Sequence, residues 1–288
     1  MGKPMQHPST RDMAKAVPEG FSYSGKLIIF TSFYDFRAHA PYMQSMMALA
    51  MMLEKAGVKW DFWPVFGDFH IERCVNEVYT RFLQDEEATD ILCIDSDESF
   101  DPAGVFRLLG YEEEIVAGAY LMKNNWKSWT GIWLVNEDNG LPIGRILPDG
   151  TALLQAFRVP WGFMRAKRSA LEKYRDAYPD LWFKGSHGKV IIFCQLSYLN
   201  NELFSQDFAF SERLKNIGVK LWIDPNITIG HWGNTEYLGN LDTHLKTLRH
   251  TQDAAKQVSD TLKLSPDESK AYAMVAQMAQ EIEQRNAA

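Results

Sequence analysis

The chain reads as an α/β protein, with a mixed, mostly parallel sheet flanked by helices and a helical C-terminal appendage. Three observations predict this. Short apolar runs alternate with amphipathic segments through roughly the first 120 residues, the pattern of a parallel sheet covered on both faces. Glycine and Asp-Pro signals sit where those segments end and begin. The length of 288 residues, 46% of them apolar, suffices for one large domain with an extension.

Residues 1–25 lack periodicity and read as a loose arm. Residues 26–31 (KLIIFT) form a short buried strand, 40–56 an apolar helix that Gly57 ends, and 58–65 a second strand. Residues 71–83 are helical, with Ile71, Val75, Val78, Tyr79 and Phe82 on one face. The run 91–95 (ILCID) is a third strand, and Asp101-Pro102 caps and opens the next helix. Residues 115–121 (IVAGAYL) make a fourth strand.

The second half is less regular. Residues 153–159 and 162–165 read as strands around a Pro160-Trp161-Gly162 break, followed by a helix over 167–176. Strand character returns at 190–196 and 220–224, the latter stopped by Pro225, and a helix over 208–216 is closed by Gly218. The expected domain spans 26–240, followed by a helical extension over 241–288. In that extension, 265–285 places Tyr272, Val275, Met278, Ala279 and Ile282 on one side, as a packing helix or a homo-oligomer contact would.

The net charge of −7 argues against broad attraction to nucleic acid or acidic membrane. Cys74, Cys93 and Cys194 are odd in number and widely spaced, which suits reduced core residues. The polar N-terminus has no signal-peptide character, and no apolar run is long enough to span a bilayer. A soluble, cytoplasmic protein is expected.

Since parallel sheets bind ligands at the carboxyl ends of their strands, the loops after the first three strands are where chemistry is sought. Asp95-Ser96-Asp97-Glu98 follows the apolar run ILCI. Acids crowded at a strand end repel one another unless a cation or hydrogen-bond donors balance them, and Mg²⁺ and Mn²⁺ favour such oxygen ligands. Taken alone, the same residues suit a polar turn. Asp207, in QDFAF, falls in the first turn of a helix, where the dipole favours its ionised form; alone, it is an ordinary helix-start acid. His231, in Gly230-His231-Trp232-Gly233, is a nitrogen donor or simply a hydrogen-bonded loop residue.

In chain order these features run from the acidic strand end through Trp161-Gly162-Phe163-Met164-Arg165 and Gln206-Asp207 to WIDP and GHWG. This order resembles the GT-A glycosyltransferases, particularly the family-two type, over about residues 26–235, and is similar to their phage and viral branch. The resemblance implies a GT-A fold and sugar transfer from a nucleotide-diphosphate donor, UDP-linked above all. It implies Mn²⁺ or Mg²⁺ held by Asp97 and His231, with Asp95 on the ribose or reaching the metal through water. It makes Asp207 the catalytic base of an inverting reaction. Thr31 and Phe33 would hold the base with Asn76 nearby, and Trp161 and Gly162 would floor the donor-sugar or acceptor site. Two positions depart from the pattern. Gln206 stands where the family has Glu, and Val75 where the phage branch has Arg, a loss that Arg73 would offset.

Lys123, just past the fourth strand, is placed to assist the diphosphate or is simply a solvated lysine. In KNNWKSWTGIW, Trp126 and Trp129 interleave with Lys123 and Lys127 and suit stacking on sugars or unpaired bases, or packing beneath a loop. The phage resemblance implies a hydroxymethylated base of phage DNA as acceptor; the net charge keeps a glycan or protein hydroxyl open. Two other readings share the features, a nucleotidyltransferase and a catalytically silent carbohydrate-binding relative. The first usually has a glycine-rich loop after its first strand, whereas TSFYDFRAHAP has none.

Overall fold

A computed structural model describes residues 17–123, 128–137, 142–186, 188–199, 201–249 and 253. The chain divides into two units, Met1–Gly239 and Asn240–Ala288. The strands are β1 (Lys26–Phe33), β2 (Lys59–Phe66), β3 (Ala88–Ile94), β4 (Glu98–Phe100), β5 (Ile115–Gly118), β6 (Ile132–Trp133), β7 (Gly144–Ile146) and β8 (Ala152–Arg158). They continue as β9 (Phe163–Lys167), β10 (Trp182–Gly185), β11 (Gly188–Ile191), β12 (Ser197–Leu199), β13 (Glu202–Phe204), β14 (Leu221–Asp224), β15 (Thr228–Trp232) and β16 (Glu236–Asn240). The helices are α1 (Ala40–Lys55), α2 (Ile71–Gln84), α3 (Pro102–Gly110), α4 (Arg168–Ala177) and α5 (Gln206–Asn216).

Among the described residues the main sheet has nine strands, in the order β2-β1-β3-β9-β5-β14-β8-β6, with β7 beside β8. β1 pairs parallel with both β2 and β3, and β5 parallel with β14. β9 runs against β3 and β5, and β8 against β14. The sheet is therefore mixed α/β, and the carboxyl ends of β1, β3 and β5 share one edge.

Burial explains the order. Five consecutive residues of β1, Leu27–Thr31, are buried, as a strand covered on both faces requires. β2 alternates exposed and half-buried residues and carries Pro64, which only an edge strand tolerates. One face packs Leu49, Met52 and Leu53 of α1 with Val105, Phe106 and Leu109 of α3 against Leu27, Ile29 and Leu92. Across the sheet, Tyr79, Trp161, Tyr174, Phe193 and Phe210 form a ring cluster with centroids 4.9–6.5 Å apart.

The caps follow the sequence. Gly57 takes φ +66 after α1 and Gly218 φ +80 after α5, and the Asp101 side chain accepts from the Ala103 N–H at 2.9 Å. Two strand expectations are corrected. The run 115–121 stops as a strand at Gly118, and 190–196 is strand only to Ile191, inside a two-stranded hairpin with β10. Segment 192–196 turns away because Asn76 holds it, taking hydrogen bonds from the Phe193 and Cys194 N–H groups at 2.8 and 2.7 Å. The three cysteines are free and buried.

In the second unit, residues 241–249 are helical, and the segment 265–285 lies outside the described residues. Among the described residues no helix is long and apolar enough to cross a membrane.

Candidate active site

The acidic run sits where β3 ends. The Asp95 N–H donates to the Gly162 carbonyl at 2.9 Å, tying that end to the turn before β9. β4 then pairs antiparallel with β15, with His231 directly opposite Glu98, and the Trp232 N–H donates to the Asp97 carbonyl at 2.8 Å. One strand pairing thus brings two segments more than 130 residues apart to the same point.

His231 Nδ1 lies 2.8 Å from the Leu121 carbonyl oxygen. A carbonyl only accepts, so Nδ1 carries the proton. Burial lowers the His231 pKa, which favours the neutral ring with Nε2 unprotonated. That nitrogen stands 3.9 Å from Asp97 Oδ1, a buried oxygen with no hydrogen-bond partner among the described residues. The other Asp97 oxygen accepts from the Lys123 ammonium.

Behind this pair the carboxyl groups crowd. Glu98 is completely buried, and burial, with Asp95 and Asp97 nearby, holds its pKa well above the carboxylate range. The Tyr120 hydroxyl eases that cost without making a regular hydrogen bond, and neither Glu98 oxygen has another partner among the described residues. Burial and the Asp97 charge push Asp95 up to about 7, with Asp207 adding to the rise and Lys123 opposing it. Gly162 makes this packing possible. A Cβ there would meet Tyr120 Oη at 2.2 Å, Glu98 Oε1 at 2.4 Å and Asp95 Oδ2 at 2.7 Å.

Asp207 lies in the first turn of α5, where its Oδ1 accepts from the Ser205 hydroxyl and, at 2.9 Å, from the Phe208 N–H. The helix dipole was expected to favour its ionised form. Burial outweighs those donors, and the Asp207 pKa is raised. Tyr120, buried among these groups, feels the charge of Glu98, Asp95, Asp207 and Asp97 together.

The structure therefore gathers Asp95, Asp97, Lys123, Gly162, Asp207 and His231, with Trp161 buried beneath. It adds Glu98 and Tyr120, which were not singled out from sequence. Glu98 was legible only as a third acid in the run, and Tyr120 looked like one more apolar strand residue. Other residues expected at the donor are engaged within the fold. Thr31 is fully buried and accepts from the Tyr42 hydroxyl at 2.8 Å. Phe33 is a core ring stacked on Phe66 at 5.2 Å. Asn76 is buried, and its amide also donates to the Cys194 carbonyl at 2.8 Å. Arg73 makes a two-pronged pair with Asp68, at 2.7 and 2.6 Å, and nothing in its geometry offsets Val75. Trp129 bridges to Leu121, while Trp126 and Lys127 lie outside the described residues.

Among the described residues no group of three or more His, Cys, Asp or Glu side chains is arranged to hold a metal. Asp97 and His231 fit one, with His231 Nε2 3.9 Å from an Asp97 oxygen that has no hydrogen-bond partner among the described residues. Asp95, with one oxygen against Gly162, is not in that pair. Two protein donors suit an ion whose other ligands are phosphate oxygens and water.

The fold and site define a mixed α/β protein with an acidic, histidine-flanked strand edge. No protein-family model and no curated protein sequence matches the chain. Among solved structures it is similar to protein A197 from STIV, with 14% identity over 73% of this chain and 86% of that one and a TM-score of 0.43. It is also similar to GalNAc-T7, solved with UDP, GalNAc and Mn²⁺, with 10% identity over 92% of this chain but 58% of that one and a TM-score of 0.43. The inositol-1-phosphate CTP transferase from T. maritima matches at 13% identity over 70% and 89% of the two chains, with a TM-score of 0.32. These likenesses are distant, and the chemistry rests on the site itself.

Proposed function

We propose that this protein is a metal-dependent glycosyltransferase of the GT-A type, using a nucleotide-diphosphate sugar, UDP-linked above all. The observation that carries the reading is the pair Asp97 Oδ1 and His231 Nε2 at 3.9 Å, with Asp207, half-buried at the start of α5, near enough for its charge to help raise the Asp95 pKa. A divalent cation such as Mn²⁺ or Mg²⁺, when bound there, supplies positive charge to the diphosphate leaving group.

The chain's own residues divide the remaining work. The Leu121 carbonyl fixes the His231 tautomer, and Lys123 adds a cation at the same edge. Trp161 and Gly162 form the floor. As the acceptor hydroxyl attacks the anomeric carbon, its proton passes to Asp207. The bond from that carbon to the diphosphate oxygen breaks, with the electron pair leaving on the oxygen. Attack on the face opposite the leaving group gives inversion. A raised pKa makes Asp207 a stronger base than an ordinary carboxylate once ionised.

Hydrolysis of nucleotide-sugars with and without Mn²⁺ tests the reading. Metal-dependent release of UDP, lost in Asp97→Ala, supports it. Release of pyrophosphate from a nucleoside triphosphate would point to nucleotidyl transfer, and no turnover of either substrate to a silent relative.

A further inference from the structure

The β12–β13 hairpin forms a two-stranded sheet of its own among the described residues, and a lone ribbon is marginal in water. Its inner side explains why it holds. Ser197 is buried and its hydroxyl accepts from Arg213 Nη2 at 3.2 Å, while buried Phe204 lies 4.7 Å from the Arg158 guanidinium. Ser197 pairs with Phe204 across the ribbon, so the next pair, Tyr198 with Leu203, points the other way. There Tyr198 is 78% exposed and Leu203 58%, with Leu196 beside them at 55%. Nothing in the packing asks for an aromatic ring at that position.

The patch is tied to the proposed chemistry. β13 runs directly into Ser205 and Asp207, and Leu203 is four residues before Asp207, a reach of about 14 Å even at full extension. Arg213, which holds Ser197, lies on the same helix as Asp207. The exposed side carries no positive charge of its own, since no Lys or Arg occurs between residues 192 and 212, and the two nearby arginines are engaged on the buried side, Arg158 with Glu212 at 3.0 Å and Arg213 with Ser197 at 3.2 Å. A lip for nucleic acid needs cations for the phosphates. Here Gln195, whose amide reaches the Ser197 hydroxyl at 3.5 Å, and the exposed Asn201 offer amides.

Resting on the glycosyltransferase reading, we infer that Tyr198, Leu203 and Leu196 form the acceptor lip, and that the acceptor is a neutral carbohydrate. The tyrosine ring meets the C–H face of a pyranose, and the neighbouring amides meet its hydroxyls.

The test combines direct binding and turnover. A panel of neutral oligosaccharides is titrated against the protein by NMR, and transfer from UDP-hexoses with Mn²⁺ is measured to that panel and to hydroxymethylated duplex DNA. The parent should bind and glycosylate a saccharide. Tyr198→Ala should raise the acceptor KM and the saccharide Kd about tenfold, the size of one lost ring contact. Tyr198→Trp should restore both, with donor KM unmoved throughout. Unchanged acceptor KM and Kd in Tyr198→Ala and Leu203→Ser would overturn the lip. Transfer to DNA alone would overturn the acceptor class. A dimer that becomes monomeric in Tyr198→Ala would assign the patch to self-contact and overturn the lip as well. Saccharide binding that depends on Tyr198 without any turnover of a UDP-sugar would keep the lip and sink the donor chemistry.

Discussion

His231 Nε2 stands 3.9 Å from Asp97 Oδ1, while the other ring nitrogen, Nδ1, is committed to the Leu121 carbonyl at 2.8 Å. A carboxylate oxygen buried without a hydrogen-bond partner is costly unless a cation or proton reaches it. Asp97→Ala and His231→Ala should each weaken Mn²⁺-dependent binding of a UDP-sugar by at least about tenfold, since even outer-shell losses at metal sites cost that much. Calorimetric titration with and without Mn²⁺ checks this, and unchanged metal dependence in both variants would refute the pair.

Asp207→Asn keeps the shape of the side chain and removes its basicity. Turnover should fall about 10²–10⁴-fold, the usual size of a lost general base, with donor KM little changed. The pH dependence follows from the sign of the shift. Asp207 works deprotonated, and burial raises its pKa. The acid limb of kcat/KM should therefore lie above the usual Asp pKa of about 3.9, with activity lost as pH falls through the raised value. A limb at or below the ordinary value would mean that another group is the base.

Gly162→Ala tests the close approach beneath the acids. The added methyl would sit within 2.2–2.7 Å of three buried oxygens on Tyr120, Glu98 and Asp95, and these cannot all retreat. Overpacking of this kind costs about 1–3 kcal/mol, measurable by urea unfolding, and the shifted Asp95 should lower turnover as well. A variant of parental stability and rate would show that the oxygens have room to move.

Asp224 closes β14 and is fully buried. It accepts from Arg107 Nε at 2.7 Å, the Tyr111 hydroxyl at 2.6 Å and the Asn226 N–H at 2.9 Å. Asp224→Ala removes the buried partner of Arg107, leaving only the more exposed Asp149 at 3.1 Å, strips the Tyr111 hydroxyl of its acceptor, and should cost roughly 1–3 kcal/mol. The Arg107→Met/Asp224→Leu double variant should recover part of that loss. Equilibrium unfolding decides, and a loss under about 1 kcal/mol in the single variant would show that solvent rehydrates Arg107.

Much of the fold was legible in local chemistry. Helices α1, α2, α4 and α5 lie within two residues of their expected ends and α3 opens at the expected Asp101-Pro102, with Gly57, Asp101-Pro102 and Gly218 acting on the backbone beside α1, α3 and α5. The short strands β4, β12 and β13, three residues each, carry too little pattern to be read, since alternation needs several residues to stand out. Thr31, Phe33 and Asn76, expected at the donor, have partners within the fold, which residue type does not reveal. Asn76 spends its amide on the backbone of Phe193 and Cys194.

By itself the sequence determined the alternating α/β order, the acids at the end of β3 and the acid at the start of α5, because each depends on near neighbours in the chain. Only the tertiary structure decided that His231 belongs with Asp97, that Glu98 lies buried under Gly162, and that Tyr198 faces solvent. Those facts arise from the pairing of β4 with β15, the antiparallel insertion of β9, and the side of the hairpin that Ser197 and Phe204 bury. Long-range pairing and burial are set by the sum of many distant contacts, which local residue patterns do not carry.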